Sequence, residues 1–149
     1  FTKAQKILKI KVLETLFFYA KLWVSIQGER SMSSVEKKTF ATEAAEVMEP
    51  NNAKVEIVNV GGNRVMKIAA QPGWVWSKDI KPLVGTESCQ AKHLGVIVEG
   101  TITCRHDDGS EITYTAGDAY SIEPGHDAWV VGDTKAIAYE FHGIWGDAG

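Results

Sequence analysis

Four histidines and two cysteines are the side chains of this 149-residue chain best suited to metal or acid–base chemistry. Imidazole and thiolate are the donors that zinc, copper and iron prefer, but no pair here has the spacing of a zinc motif. Cys89 stands four residues before His93. In an extended strand that spacing puts both side chains on one face, about 13 Å apart at about 3.3 Å per residue. One ion could then bind both only if the backbone bends or bulges between them. Trp74 and Trp76 lie two apart and share a face if the segment is extended. Both indoles either cover a core, or one lines a pocket mouth and stacks on a flat or apolar ligand. Asp79 and Lys81 repeat this spacing and read as a surface pair.

The elements that must carry these residues are strands. Between Ser88 and Gly143, short β-rich runs are cut at close intervals by Gly, Asp and Pro. In Leu94-Val96-Val98 and Ile112-Tyr114 apolar residues recur every second position, which is strand periodicity. Asp107-Asp108-Gly109 supplies a tight hairpin turn, and Gly117-Asp118 and Pro124-Gly125 mark the next boundaries. His106, on that hairpin beside Arg105 and Asp107, reads as exposed and inert. Upstream, Val55 to Val60 and Val65 to Ala69 read as two strands joined through Gly61-Gly62-Asn63. Short strands with turns about every 8–12 residues indicate an all-β sandwich or barrel closed to protect its edges.

The segments HLGVIVEG (93–100) and GDAYSIEPGHDAW (117–129) resemble the two motifs of the cupin superfamily, separated by the usual short hairpin. PGWVWSKDIKPLVGTESCQAKHLG (72–95) with PGHDAWVVGD narrows the resemblance to small single-domain cupins of unassigned function, some found beside nucleotide cyclase domains. The similarity covers roughly residues 35 to 143. It implies a double-stranded β-helix, the jelly-roll barrel. The usual ligand set of three histidines and a glutamate is missing, however. The glutamate position falls on His93, the paired histidines fall near Thr86 and Ser88 or Glu87 and Cys89, and the last histidine position falls on Trp129. Cupins include isomerases, dioxygenases, storage proteins and binding modules, so the fold names no activity.

The resemblance implies that His93 faces the barrel interior and that His126, on the Pro-Gly turn, reaches the same end of the cavity. Three readings of the pair stand side by side. His93 and His126, with Cys89 if the backbone bends, would bind a divalent metal (Zn, Fe or Mn) and leave a fourth position for water. Alternatively His93 is a core histidine bonded to a neighbour, with His126 capping its turn. In the third, His93 is an acid or base without metal, its ordinary pKa being near 6.5. Trp74, Trp76, His93, Tyr120 and Trp129 are the expected ligand-binding residues, with Tyr120, Ile122 and Trp129 filling the interior or its rim. Cys104 reads as a small buried hydrophobe, Glu123 as solvated, and His142 as closing the barrel after a last strand Ile137-Tyr139-Phe141. Two functional classes follow: a module binding an apolar or carboxylate-bearing small molecule, and a metal-dependent enzyme of dioxygenase or isomerase type.

The rest of the chain sets bounds. With 149 residues, 44% hydrophobic and 23% charged, it is the size of one globular domain. Residues 1–31 carry six Lys or Arg against two acids, a net +4, which leaves −7 of the total −3 for the remainder. An acidic domain is a poor reader of phosphate backbones, so no nucleic-acid partner is expected. Residues 1–31 have helical propensity without an apolar stripe, and Glu14 and Lys21 interrupt any signal-peptide or spanning pattern. They read as a helical extension outside the native protein, with a packed helix or an interfacial one as alternatives. Residues 32–52 form a lead-in arm and 53–145 the barrel. A cytoplasmic protein with reduced thiols and no membrane partner is expected, and the resemblance allows pairing as a homodimer.

Overall fold

The computed structural model describes residues 34–142, so the expectations for residues 1–31 lie outside them. The described residues hold nine strands. β2 (Ala53–Val60) and β3 (Asn63–Ala70) form a hairpin. Gly61 and Gly62 turn it with φ of 56° and 74°, values that side-chain-bearing residues rarely adopt. Then follow β4 (His93–Glu99), β5 (Thr101–His106), β6 (Glu111–Thr115), β7 (Ala119–Ile122), β8 (His126–Val130) and β9 (Ala136–His142). The Asp107-Asp108-Gly109 turn joins β5 to β6, with Gly109 at φ 89°.

The lead-in arm is more structured than its polar composition suggests. It carries a helical turn, α1 (Phe40–Glu43), and a strand, β1 (Glu46–Met48), that extends the sheet beyond β2. Residues 74–92 hold two further turns of helix, α2 (Trp76–Asp79) and α3 (Lys81–Val84). Trp76 therefore opens a helix instead of continuing a strand. Asp79 is not a surface partner of Lys81. It is buried and accepts hydrogen bonds from Asn51 Nδ2 (2.5 Å), Asn52 Nδ2 (3.3 Å) and the Val75 amide (3.0 Å), tying the arm to the loop. Lys81 pairs with Glu87.

All named strand pairings are antiparallel. One sheet runs β1-β2-β3-β9-β4-β7 and the other β6-β5-β8. The principal core draws on both sheets and on the loop: Trp74, Trp76, Ile80, Ile97, Ile102, Tyr114, Tyr120 and Val130 are all buried in it. Removing a buried indole of this kind costs about 3–5 kcal/mol. Among the described residues no helix is long and apolar enough to cross a membrane.

The parity of β9 differs from a simple apolar reading. Ala136, Ala138 and Glu140 are buried, while Ile137 and Tyr139 are half-buried and Phe141 is exposed. Bulky aromatics already fill the interior, so β9 contributes small side chains there and one carboxylate. His142 is the exposed last residue of this strand and does not close the barrel. On β4 the same rule buries His93, Gly95 and Ile97 and turns Leu94 and Val98 outward.

Gly95 makes room for that carboxylate. A Cβ at this position would lie 2.6 Å from the Tyr139 carbonyl oxygen, 2.8 Å from Glu140 Cγ and 2.8 Å from the Tyr120 hydroxyl. Gly95→Ala is expected to destabilise the fold by about 1–3 kcal/mol through overpacking. The denaturant midpoint reads this directly, and an unchanged midpoint would show that the neighbours yield freely.

Candidate metal centre

His93 is the first residue of β4 and faces inward with Gly95 and Ile97. His126 is the first residue of β8, set by the Pro124-Gly125 turn, where Gly125 adopts φ 98°. Cys89 lies on no named strand. Its amide donates to the His126 carbonyl (2.8 Å) and its carbonyl accepts from Gly125 N (2.7 Å), so a local bridge holds it beside His126. The chain then folds back through residues 90–92 before β4 begins. The 13 Å expected for an extended segment does not apply: Cys89 Sγ is 3.5 Å from His93 Nε2.

One ligand atom from each of Cys89, His93 and His126 lies within 4.8 Å of the others, and all three residues are buried. The rings of His93 and His126 meet edge to face at 5.1 Å. Each imidazole is also held from its far side. His93 Nδ1 is 2.7 Å from Glu140 Oε2, and His126 Nδ1 is 2.8 Å from the Glu123 carbonyl oxygen. A carbonyl only accepts, so His126 Nδ1 carries a proton. His93 donates through Nδ1 to the carboxylate and turns Nε2 toward the thiol. Tyr120 donates to the other oxygen, Glu140 Oε1, at 2.6 Å. This is the arrangement in which outer partners fix the tautomer and aim of metal-ligating histidines.

Charge follows from the same contacts. Burial alone would raise the Cys89 thiol, but hydrogen bonds from His126 and His93 outweigh it and bring the pKa down to about 6. For His93 burial acts downward, and the contacts with Cys89 and Glu140 outweigh it, raising the pKa to about 10. Near pH 7 the pair is therefore a thiolate beside an imidazolium. Burial pushes Cys104 up to about 12, in keeping with an inert core thiol. Tyr120 is raised above the ordinary phenol value, first by burial and then by Glu140, so it stays a donor.

A cavity of about 40 Å³ adjoins the cluster, walled by His93, His126, Trp74, Trp76, Tyr114 and Tyr120 among others. Trp74 and Trp76 are both deeply buried. The space beside them is far smaller than the 300–1,000 Å³ typical of drug-sized ligand sites. Trp129 is a correction to the expected lining: its neighbours Ala128 and Val130 are buried, while its ring faces outward under the Arg105 guanidinium at 5.3 Å. The interior position next to it belongs to Ala128. His106 is half-buried, not free, its Nε2 being 2.8 Å from the Pro124 carbonyl oxygen. Sequence reasoning missed Glu140 altogether and took Glu123 only as a solvated side chain, whereas its carbonyl anchors His126. The signal for Glu140 was the run Ala136, Ala138, Glu140, alternating with larger residues.

No protein-family model matches the chain, and no curated protein does. Solved structures do. A protein of unknown function from Rhizobium leguminosarum shares 17% identity over 72% of this chain and 95% of its own, with a TM-score of 0.50. At that score the two chains share a fold. An RmlC-like cupin from Shewanella frigidimarina is 19% identical over 74% of this chain and 93% of its own, with a TM-score of 0.48. Oxalate decarboxylase from Lactobacillus farciminis is 18% identical at a TM-score of 0.48, and the match spans 67% of this chain but only 32% of the decarboxylase. The likeness is one of fold alone. A protein of unknown function, an RmlC-like cupin and an oxalate decarboxylase thus stand among these structures.

Proposed function

We propose that this cupin-fold chain binds one divalent transition metal through Cys89 Sγ, His93 Nε2 and His126 Nε2, leaving an open position toward the small cavity. The observation that carries the reading is the separation of donors. With Zn–S near 2.3 Å and Zn–N near 2.0–2.1 Å, adjacent sulfur and nitrogen ligands of a tetrahedral ion are about 3.6 Å apart. Cys89 Sγ and His93 Nε2 are 3.5 Å apart. Glu140 and the Glu123 carbonyl supply the outer contacts such ligands need. A thiolate with two imidazoles favours Zn²⁺ or Fe²⁺ over Mn²⁺.

When bound, such an ion acts as a Lewis acid that polarises an oxygen of a small ligand or lowers the pKa of a water. The protein's own residues do the rest. Glu140 orients His93, the Glu123 carbonyl orients His126, and the surrounding aromatics exclude bulk water. The small-molecule reading survives in a narrower form, because the occupant is limited by a cavity of about 40 Å³. Elemental analysis of protein purified without chelator tests the proposal. About one equivalent of metal per chain, lost in His93→Ala, is the expected result. A metal-free protein that takes up no Zn²⁺ or Fe²⁺ on titration would overturn it.

A further inference from the structure

Trp76 is 2% exposed, forms part of the cavity wall, and its Nε1–H has no acceptor among the described residues. A buried donor without a partner is costly and calls for an explanation such as a water or ligand. The adjoining cavity is where an acceptor can sit. At about 10–15 Å³ per water-sized occupant, about 40 Å³ holds roughly three. Ile122 stands in the wall of this cavity and also lines an outer pocket of about 290 Å³, with Cys104, Ser121 and Glu123.

We infer that the ligand accepted at the open metal position is a hydrogen-bond acceptor of two or three heavy atoms, held at its far end by Trp76 Nε1–H, with Ile122 excluding larger molecules. This rests on the metal reading above. Two features select the class. The indole can only donate, so the occupant must accept. Of the other walls, Ile68, Ala70, Ile102 and Ala138 are apolar, and the Tyr120 hydroxyl and the Glu140 carboxylate are already engaged with each other and with His93.

Azide and imidazole are the probes, added to the Zn²⁺-loaded full chain and followed by the indole N–H resonances in ¹H–¹⁵N spectra. Azide is expected to bind and shift one indole resonance, the one missing from Trp76→Phe, while imidazole at the same concentration does not bind. Trp76→Phe should weaken azide about tenfold, the order of one hydrogen bond to a charged group. Ile122→Ala, which keeps every polar group, should admit imidazole. Zinc content is measured first, so failure to load metal counts against the metal site and not against the ligand class. A loaded protein that ignores azide, that binds imidazole as well as azide, or whose Trp76 resonance stays fixed would overturn the inference. The comparison of azide with imidazole binding to the wild type needs no variant to fold.

Discussion

Cys89→Ser is expected to lower Zn²⁺ affinity by more than the roughly 100-fold that loss of an outer-shell partner costs. The thiolate supplies the only soft donor in the cluster and its only negative charge in direct contact, and a serine hydroxyl stays protonated at neutral pH. Proton competition adds a second signature. Metal uptake requires deprotonated ligands. Between pH about 6 and about 10 the thiolate is already formed but His93 still holds its proton. Each ion bound then releases about one proton, so affinity should rise about tenfold per pH unit across this window. Below about 6 the thiol also holds a proton and the dependence steepens. Cys89→Ser should lose the steeper region and, with one of the two partners that raise His93 gone, end the single-proton slope at a lower pH. Competition titrations against a chelator of known affinity, repeated across pH, measure both effects. Equal affinities for the two proteins would remove Cys89 from the site.

Glu140→Leu should be the most damaging single change to the fold around the site, at about 3–5 kcal/mol. Its two oxygens take the His93 Nδ1 and Tyr120 hydroxyl donors, and all three groups are buried. Leucine leaves both donors without an acceptor, and His93 loses the partner that favours its charged form. Glu140→Gln should cost less, about 1–3 kcal/mol, because its carbonyl can still accept one donor while its amide faces the other. Urea denaturation of the three proteins orders them wild type, Gln, Leu. A Leu variant within about 1 kcal/mol of wild type would mean that the network is not held as described.

The roll itself was legible because its signals are local. Alternation in β4 and β6, the Asp-Gly hairpin and the Pro-Gly turn before His126 each act over a few residues, and each lies where the sequence indicates. The site was half legible for the opposite reason. His93 could be assigned to the interior from its place in the first motif. The approach of Cys89 depends on a bridge to His126, which lies 37 positions further on, and no local spacing encodes that. Glu140 escaped because Ile137, Tyr139 and Phe141 alternate as strongly as any core face. Only the volume already taken by Trp74, Trp76, Tyr114 and Tyr120 shows that β9 must turn its small residues inward. Trp129 misled by a single residue: in a strand that shift reverses the face, and the interior position falls on Ala128.

The most direct measurement of the central claim is the absorption spectrum of the chain loaded with Co²⁺, compared between wild type and Cys89→Ser. The account predicts a tetrahedral Co²⁺ spectrum with a thiolate-to-metal charge-transfer band in the wild type, and the loss of that band in the serine variant. A wild-type protein that binds Co²⁺ without a sulfur band, or a band that persists after Cys89→Ser, would contradict it.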